Sequence, residues 1–132
     1  QVQYSVNSDS YGEVIVNDWD LTYGSNEKAG RFELYPTQNM WNFLKLNTST
    51  GQISIVQFTV NEEDKRFEYT LNDIPLIAPG EILTPGRFEL TETQNRWNYI
   101  LLDQVSGAAY QVQWSFNKEN RFALPIIPQP NS

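Results

Sequence analysis

The sequence predicts an all-β fold of antiparallel four-stranded repeats of about 56 residues, arranged like propeller blades. Three observations predict it. The stretch GRFELYPTQNMWNFLKLNTSTG, Gly30 to Gly51, returns as GRFELTETQNRWNYILLDQVSG, Gly86 to Gly107. The offset is 56 residues at Gly30/Gly86, at Trp41/Trp97 and at Gly51/Gly107, so nothing was inserted or lost between the copies. A period of this length marks a supersecondary unit that must pack against its siblings to bury its apolar face. Within each copy apolar and polar residues alternate with period two between turn signals, as half-buried strands do. A β-trefoil or a pseudo-symmetric barrel is the alternative arrangement of the same repeats.

Each element can be justified in order. In the first strand Phe32 and Leu34 face one side while Arg31 and Glu33 face the other, and Phe88 and Leu90 alternate with Arg87 and Glu89 in the same way. A turn of pattern T-Q-N-x-W-N follows, Thr37 to Asn42 and Thr93 to Asn98. The second strand runs from Trp41 to Leu46 and from Trp97 to Leu102. It closes on Asn47-Thr-Ser-Thr-Gly51 and Asp103-Gln-Val-Ser-Gly107, where Asn or Asp opens a hairpin loop and Gly supplies a positive φ. In the third strand Val56, Phe58 and Val60 precede Asn61, and Val112, Trp114 and Phe116 precede Asn117. The fourth strand spans Phe67 to Leu71 and Phe122 to Ile126.

The third-strand pattern also opens the chain: Val2, Tyr4 and Val6 before Asn7, with Gln3, Gln57 and Gln113 preceding the aromatic each time. Glu13 to Val16 then copies the fourth strand. The chain therefore reads as a single β-repeat domain, 1–132, made of a partial repeat (1–29) and two complete ones (30–85 and 86–132). A half-repeat calls either for an upstream half in the natural protein or for strands from a partner subunit, and the abrupt start on strand-like sequence favours the former. One-turn helices are expected only in the connectors Thr22–Ala29 and Ile74–Pro85, whose Gly and Pro content reads as surface loop. The proline-rich tail from Pro125 is an ending, because proline cannot donate to a ladder.

Composition narrows the function. A net charge of −7 with a pI near 4.4 repels phosphate backbones, so nucleic acid is not an expected partner. Without cysteine there is no disulfide, thiolate nucleophile or thiolate-bound zinc, and without histidine the commonest general base and metal ligand are missing. No apolar run approaches the roughly 20 residues of a membrane helix, and nothing reads as a signal peptide.

The string from Gly30 to Gly51 with the following VQFTVN, its copy ending in QVQWSF, and the opening QVQYSVN together resemble a group of uncharacterised bacterial proteins, many of them exported. These carry GRF-x-L-x-P-T-Q-N-x-W/Y-x-F-x-x-L-D-x-x-x-G-x-x-x-Q-V-Q-W two or three times. The resemblance covers both full repeats and implies an extracytoplasmic β-repeat protein, periplasmic or secreted, with no implied activity. This chain departs from the pattern at Asn47, where the group has Asp, and at Thr91-Glu92, where the first copy has Tyr35-Pro36. Neither departure breaks the turn chemistry.

The candidate ligand-binding residues are Trp41, Gln38 and Asn39 in one repeat and Trp97, Gln94 and Asn95 in the other. An indole face with amides around it suits a sugar, which has an apolar face and a rim of hydroxyls. The same residues also suit a capped turn with Trp starting a core strand. Trp114, Phe58 and Tyr4 read as core, and Trp19, between Asp18 and Asp20, is a candidate exposed aromatic. The loops Asn61–Asp64, Asn117–Asn120 and Asn7–Ser10 lack the fixed ligand spacing of a calcium loop and read as solvated turns. Arg31/Glu33, Arg87/Glu89, Arg66 and Arg121 read as cross-strand ion pairs on an exposed face. Glu33 and Glu89 recur in like environments, which does not split them into acid and base, so no catalytic residue, metal or cofactor is expected. The expectation is a non-catalytic binding module with a glycan or another protein as partner. The alternative is a structural or protein-interaction domain of the bacterial cell envelope, without membrane insertion and with homo-oligomerisation if the N-terminal half-repeat is genuine.

Overall fold

Eight strands form two separate sheets, in a computed structural model that describes residues 30–61 and 65–130. The first sheet holds β1 (Phe32–Pro36), β2 (Asn42–Asn47), β3 (Ile53–Gln57) and β4 (Phe67–Asn72). The second holds β5 (Phe88–Glu92), β6 (Asn98–Asp103), β7 (Ala109–Gln113) and β8 (Phe122–Pro125). Both are antiparallel meanders with strands in chain order, as an all-β repeat fold requires. The partial copy before residue 30, with Tyr4, Trp19, Asn7–Ser10 and the connector Thr22–Ala29, lies outside the described residues, as do positions 62–64 of the first acidic loop.

The hairpin loops form as their residues dictate. Asn47 Oδ1 accepts from Ser49 N at 3.0 Å and Gly51 N donates to Asn47 O at 2.8 Å, with Gly51 at φ +86°. In the second repeat Asp103 Oδ1 accepts from Val105 N at 2.9 Å and Gly107 N donates to Asp103 O at 2.7 Å.

Residues paired across neighbouring strands share a face, so the register sorts every side chain. Leu44, Leu46, Ile53, Ile55 and Leu71 share one face of the first sheet, and Phe88, Leu90, Tyr99, Leu101 and Val112 share one face of the second. All are buried together with Trp114 in one cluster, so these two faces pack on each other. Leu76 and Ile77 of the connector close its side. The buried loop Thr48–Thr50 latches the repeats: Phe88 N donates to Thr48 O at 2.8 Å, Gly86 N to Thr48 Oγ1 at 2.9 Å and Leu76 N to Thr50 O at 2.7 Å. Tyr99 Oη donates to Pro36 O across the interface, and burial pushes its phenol up to about 12. Arg121 stacks 4.2 Å over the Tyr69 ring.

Four expectations need correction. The third strand stops at Gln57 and Gln113, so Phe58, Val60, Trp114 and Phe116 follow it and do not lie within it. Trp114 is buried as expected, whereas its counterpart Phe58 is 39% exposed. The connector Ile74–Pro85 contains no helical turn, because Pro75, Pro79 and Pro85 break it up, and a 3₁₀ turn forms instead at Lys118–Asn120. Arg87 and Arg121 make other contacts than cross-strand pairs with glutamate on an open face. Arg87 is buried and grips Asp103 with Nε and Nη2, each at 2.9 Å, with Glu81 3.3 Å from Nη1. Arg121 gives its guanidinium to the carbonyls of Ser115 and Phe116, at 2.8 Å and 3.0 Å.

Candidate ligand-binding site

Each T-Q-N turn is built by two of its own side chains. The Thr37 hydroxyl donates to Asn42 O at 2.9 Å and accepts from Asn39 N at 3.1 Å, while Asn39 Oδ1 accepts from Trp41 N at 2.9 Å. The second copy repeats this closely: Thr93 to Asn98 O at 2.7 Å, Asn95 N to Thr93 at 3.1 Å, Trp97 N to Asn95 Oδ1 at 2.9 Å. The turn aims each Trp across the end of the third strand, and Phe58 N and Trp114 N bond back to the carbonyls of Trp41 and Trp97 at 3.0 Å and 2.9 Å.

A cleft opens beside each turn. The first, of about 500 Å³, is lined by Asn39, Trp41, Gln57, Phe58, Thr59 and Lys65, among others. The second, of about 280 Å³, is lined by Asn95, Trp97, Asn98, Gln113, Trp114, Ser115 and Asn120. Asn39/Asn95, Trp41/Trp97, Gln57/Gln113, Phe58/Trp114 and Thr59/Ser115 are equivalent positions of the repeat, so the clefts are two copies of one site. The glutamines brace them. Gln57 accepts from Asn42 Nδ2 at 3.2 Å and donates to Lys65 O at 3.2 Å; Gln113 accepts from Asn98 Nδ2 at 3.4 Å and donates to Asn120 O at 2.9 Å.

Trp41 and Trp97 are half-buried, each held by an aromatic neighbour. Trp41 meets Phe58 edge-on at 5.2 Å, and Trp97 meets Trp114 at 4.7 Å. The Trp114 indole N–H is spent on Arg96 O at 3.1 Å. Among the described residues the indole N–H groups of Trp41 and Trp97 make no hydrogen bond, nor do the Nδ2 groups of Asn39 and Asn95. Among the described residues Lys65 is the one charged residue lining the first cleft, and none lines the second.

The structure thus brings Trp41 with Asn39 and Trp97 with Asn95. It leaves Gln38 and Gln94 exposed and outside both linings, with Gln38 facing the second repeat's turn beside Glu92 and Arg96. Gln57 and Gln113 are among the cleft residues that the candidate set lacks. Their signal was visible, since a glutamine precedes the third-strand aromatic in every copy.

A third concavity, of about 310 Å³, lies on the outer face of the first sheet between Phe32, Lys45, Ser54 and Glu68. Lys45 Nζ is 2.8 Å from Glu68, which also accepts from Ser54 Oγ; these contacts hold the Glu68 carboxyl below its usual range. It has no counterpart in the second repeat, where the equivalent face is buried. Among the described residues no helix is long and apolar enough to cross a membrane. Comparison of the chain with protein-family models, curated proteins and solved structures finds no match.

Proposed function

We propose that this protein is a non-catalytic, extracytoplasmic binding module for neutral carbohydrate, with one aromatic–amide cleft per repeat. The observation that carries the reading is the pairing of half-buried indoles with unbonded N–H groups, Trp41 and Trp97, in two equivalent clefts. A sugar offers what such a cleft lacks: an apolar ring face for the indole and hydroxyls that accept from indole and amide N–H. The uncharged second cleft favours a neutral ligand over an anionic one. Among the described residues the clefts are lined by amides, hydroxyls and aromatics with Lys65, a set that favours binding. Preorganisation supports the reading further, since the bracing glutamines fix cleft shape before any ligand arrives.

The test is a glycan array followed by tryptophan-fluorescence titration of the strongest hit. Trp41→Phe/Trp97→Phe keeps the aromatic packing and deletes both indole N–H groups. Affinity should fall about tenfold or more, the loss that ~1.4 kcal/mol of contact represents, with the melting temperature nearly unchanged. An array with no hit on the folded wild type would sink the reading.

A second reading has its own observation. Phe32 and Leu34 are exposed on a sheet face whose repeat counterpart is fully packed, which favours a scaffold or protein-interaction domain.

A further inference from the structure

The two clefts are linked by one side chain of the second repeat. Phe116 follows β7 in the second repeat and packs on both aromatics of the second cleft, 6.2 Å from Trp97 and 5.3 Å from Trp114. The same Phe116 ring lines the first cleft with Trp41 and Phe58. One side chain therefore lines the first cleft and backs the aromatics of the second, and Phe116 is about half exposed.

We propose that the clefts are subsites of one extended site, spanned by a single linear, neutral oligosaccharide that rides over Phe116. This rests on the carbohydrate reading above and adds the form of the ligand. The clefts are related by the operation that stacks one sheet on the next, so they present equivalent groups in the same sense. A ligand that satisfies both must repeat itself along its length, as a homopolymer or a disaccharide-repeat chain does and a branched terminal sugar does not. Packed sheets lie about 10 Å apart, close to the length of a disaccharide unit, so successive like faces of such a chain fall on successive clefts. The asymmetry of the clefts assigns their roles. The larger first cleft, with Val60 where the second repeat has Phe116, accommodates the bulkier or less ordered end of the chain, and the narrower second cleft grips one ring between amides. Once one ring is bound, the next is held at high local concentration beside the neighbouring cleft, and the second contact becomes intramolecular.

The experiment is isothermal titration calorimetry of the full chain with cello-, chito- and malto-oligosaccharides, each graded from monosaccharide to hexasaccharide. The expected result in the series that binds is a jump of about 10²-fold in affinity at the first length that spans both clefts. Stoichiometry should fall there from two short ligands to one long ligand per chain. Trp41→Phe and Trp97→Phe should each abolish the jump and leave one short-ligand site intact, and Phe116→Ala should weaken only the long ligands. If stoichiometry stays at two for all lengths and affinity climbs without a jump, the clefts are independent and the spanning proposal is overturned while the carbohydrate reading stands. Failure of every series, with the array also blank, overturns the carbohydrate reading itself.

Discussion

Asp103 and Asn47 occupy the same place in the two repeats, and one atom separates their fates. The Asp103 carboxylate holds Arg87 in two hydrogen bonds and accepts from Val105 N, Ser106 N and the Ser106 hydroxyl, at 2.9, 3.3 and 2.8 Å. Arg87 is the largest influence, and the cluster holds the Asp103 carboxyl well below the ordinary carboxylate range. In the first repeat Asn47 keeps the loop bond to Ser49 without a charge. Asp103→Asn should therefore preserve the hairpin and still cost about 3 kcal/mol, the low end for breaking a buried pair, because Glu81 remains beside Arg87. The pH dependence follows from the lowered value. A carboxyl depressed on folding contributes its full stability above the unfolded value of about 3.9 and loses it as pH falls towards the folded one. Denaturant melts at neutral pH and at pH 2 should show the gap between wild type and variant shrinking on acidification; a constant gap would contradict the pairing. The sequence marked this position as a departure from a pattern. Its partner was not legible, because the arginine's nearest acids in the chain, Glu33 and Glu89, invited a different pairing.

At the scale of elements, the turns were the most legible and the strand ends the least. T-Q-N-x-W-N forms because Thr and Asn bond their own backbone two residues on, a local rule that needs no tertiary knowledge. The third strand was read too far because V-x-aromatic-x-V/F keeps its alternation past Gln57 and Gln113, where the chain leaves the ladder to wall a cleft. That continuation is also why the cleft glutamines escaped notice: in a strand they are merely polar neighbours of core residues. Gly51 and Gly107 provide an internal comparison. Both sit at φ above +80°, but a Cβ on Gly51 would come within 2.9 Å of Leu76 whereas one on Gly107 meets nothing within 4 Å. Both alanine variants carry the left-handed backbone penalty of roughly 1–2 kcal/mol. Gly51→Ala should cost more than Gly107→Ala in denaturant melts, since it also pushes the connector's Leu76 from the core; equal losses would argue against that close approach.

Across the whole molecule, identical residues do different work. GRFEL is the same string in both repeats, yet Phe88 and Leu90 are 1% and 4% exposed while Phe32 and Leu34 are 50% and 59% exposed. Phe88→Ala should cost about 3–5 kcal/mol by opening a cavity between the sheets, and Phe32→Ala well under half of that. Thermal melts of the two variants measure the difference directly, and near-equal losses would mean that the outer face is covered in solution. Repetition announced the all-β repeat architecture but not which copy of each face lies inside. The answer was written in the mismatches between copies. Where the buried second sheet has Leu101, Tyr110 and Ala123, the outer first sheet has Lys45, Ser54 and Glu68; where the buried first sheet has Ile53 and Ile55, the outer second sheet has Ala109 and Gln111. Each sheet thus buries one face only, and the two bury opposite faces. The duplicated halves have consequently become a left and a right shoe. Transposed in the gene, with the second repeat's codons placed first, they would press lysine, glutamate and glutamine together at the seam and turn leucine, isoleucine and tyrosine out to water. This chain carries that handed order in these five mismatched pairs of positions.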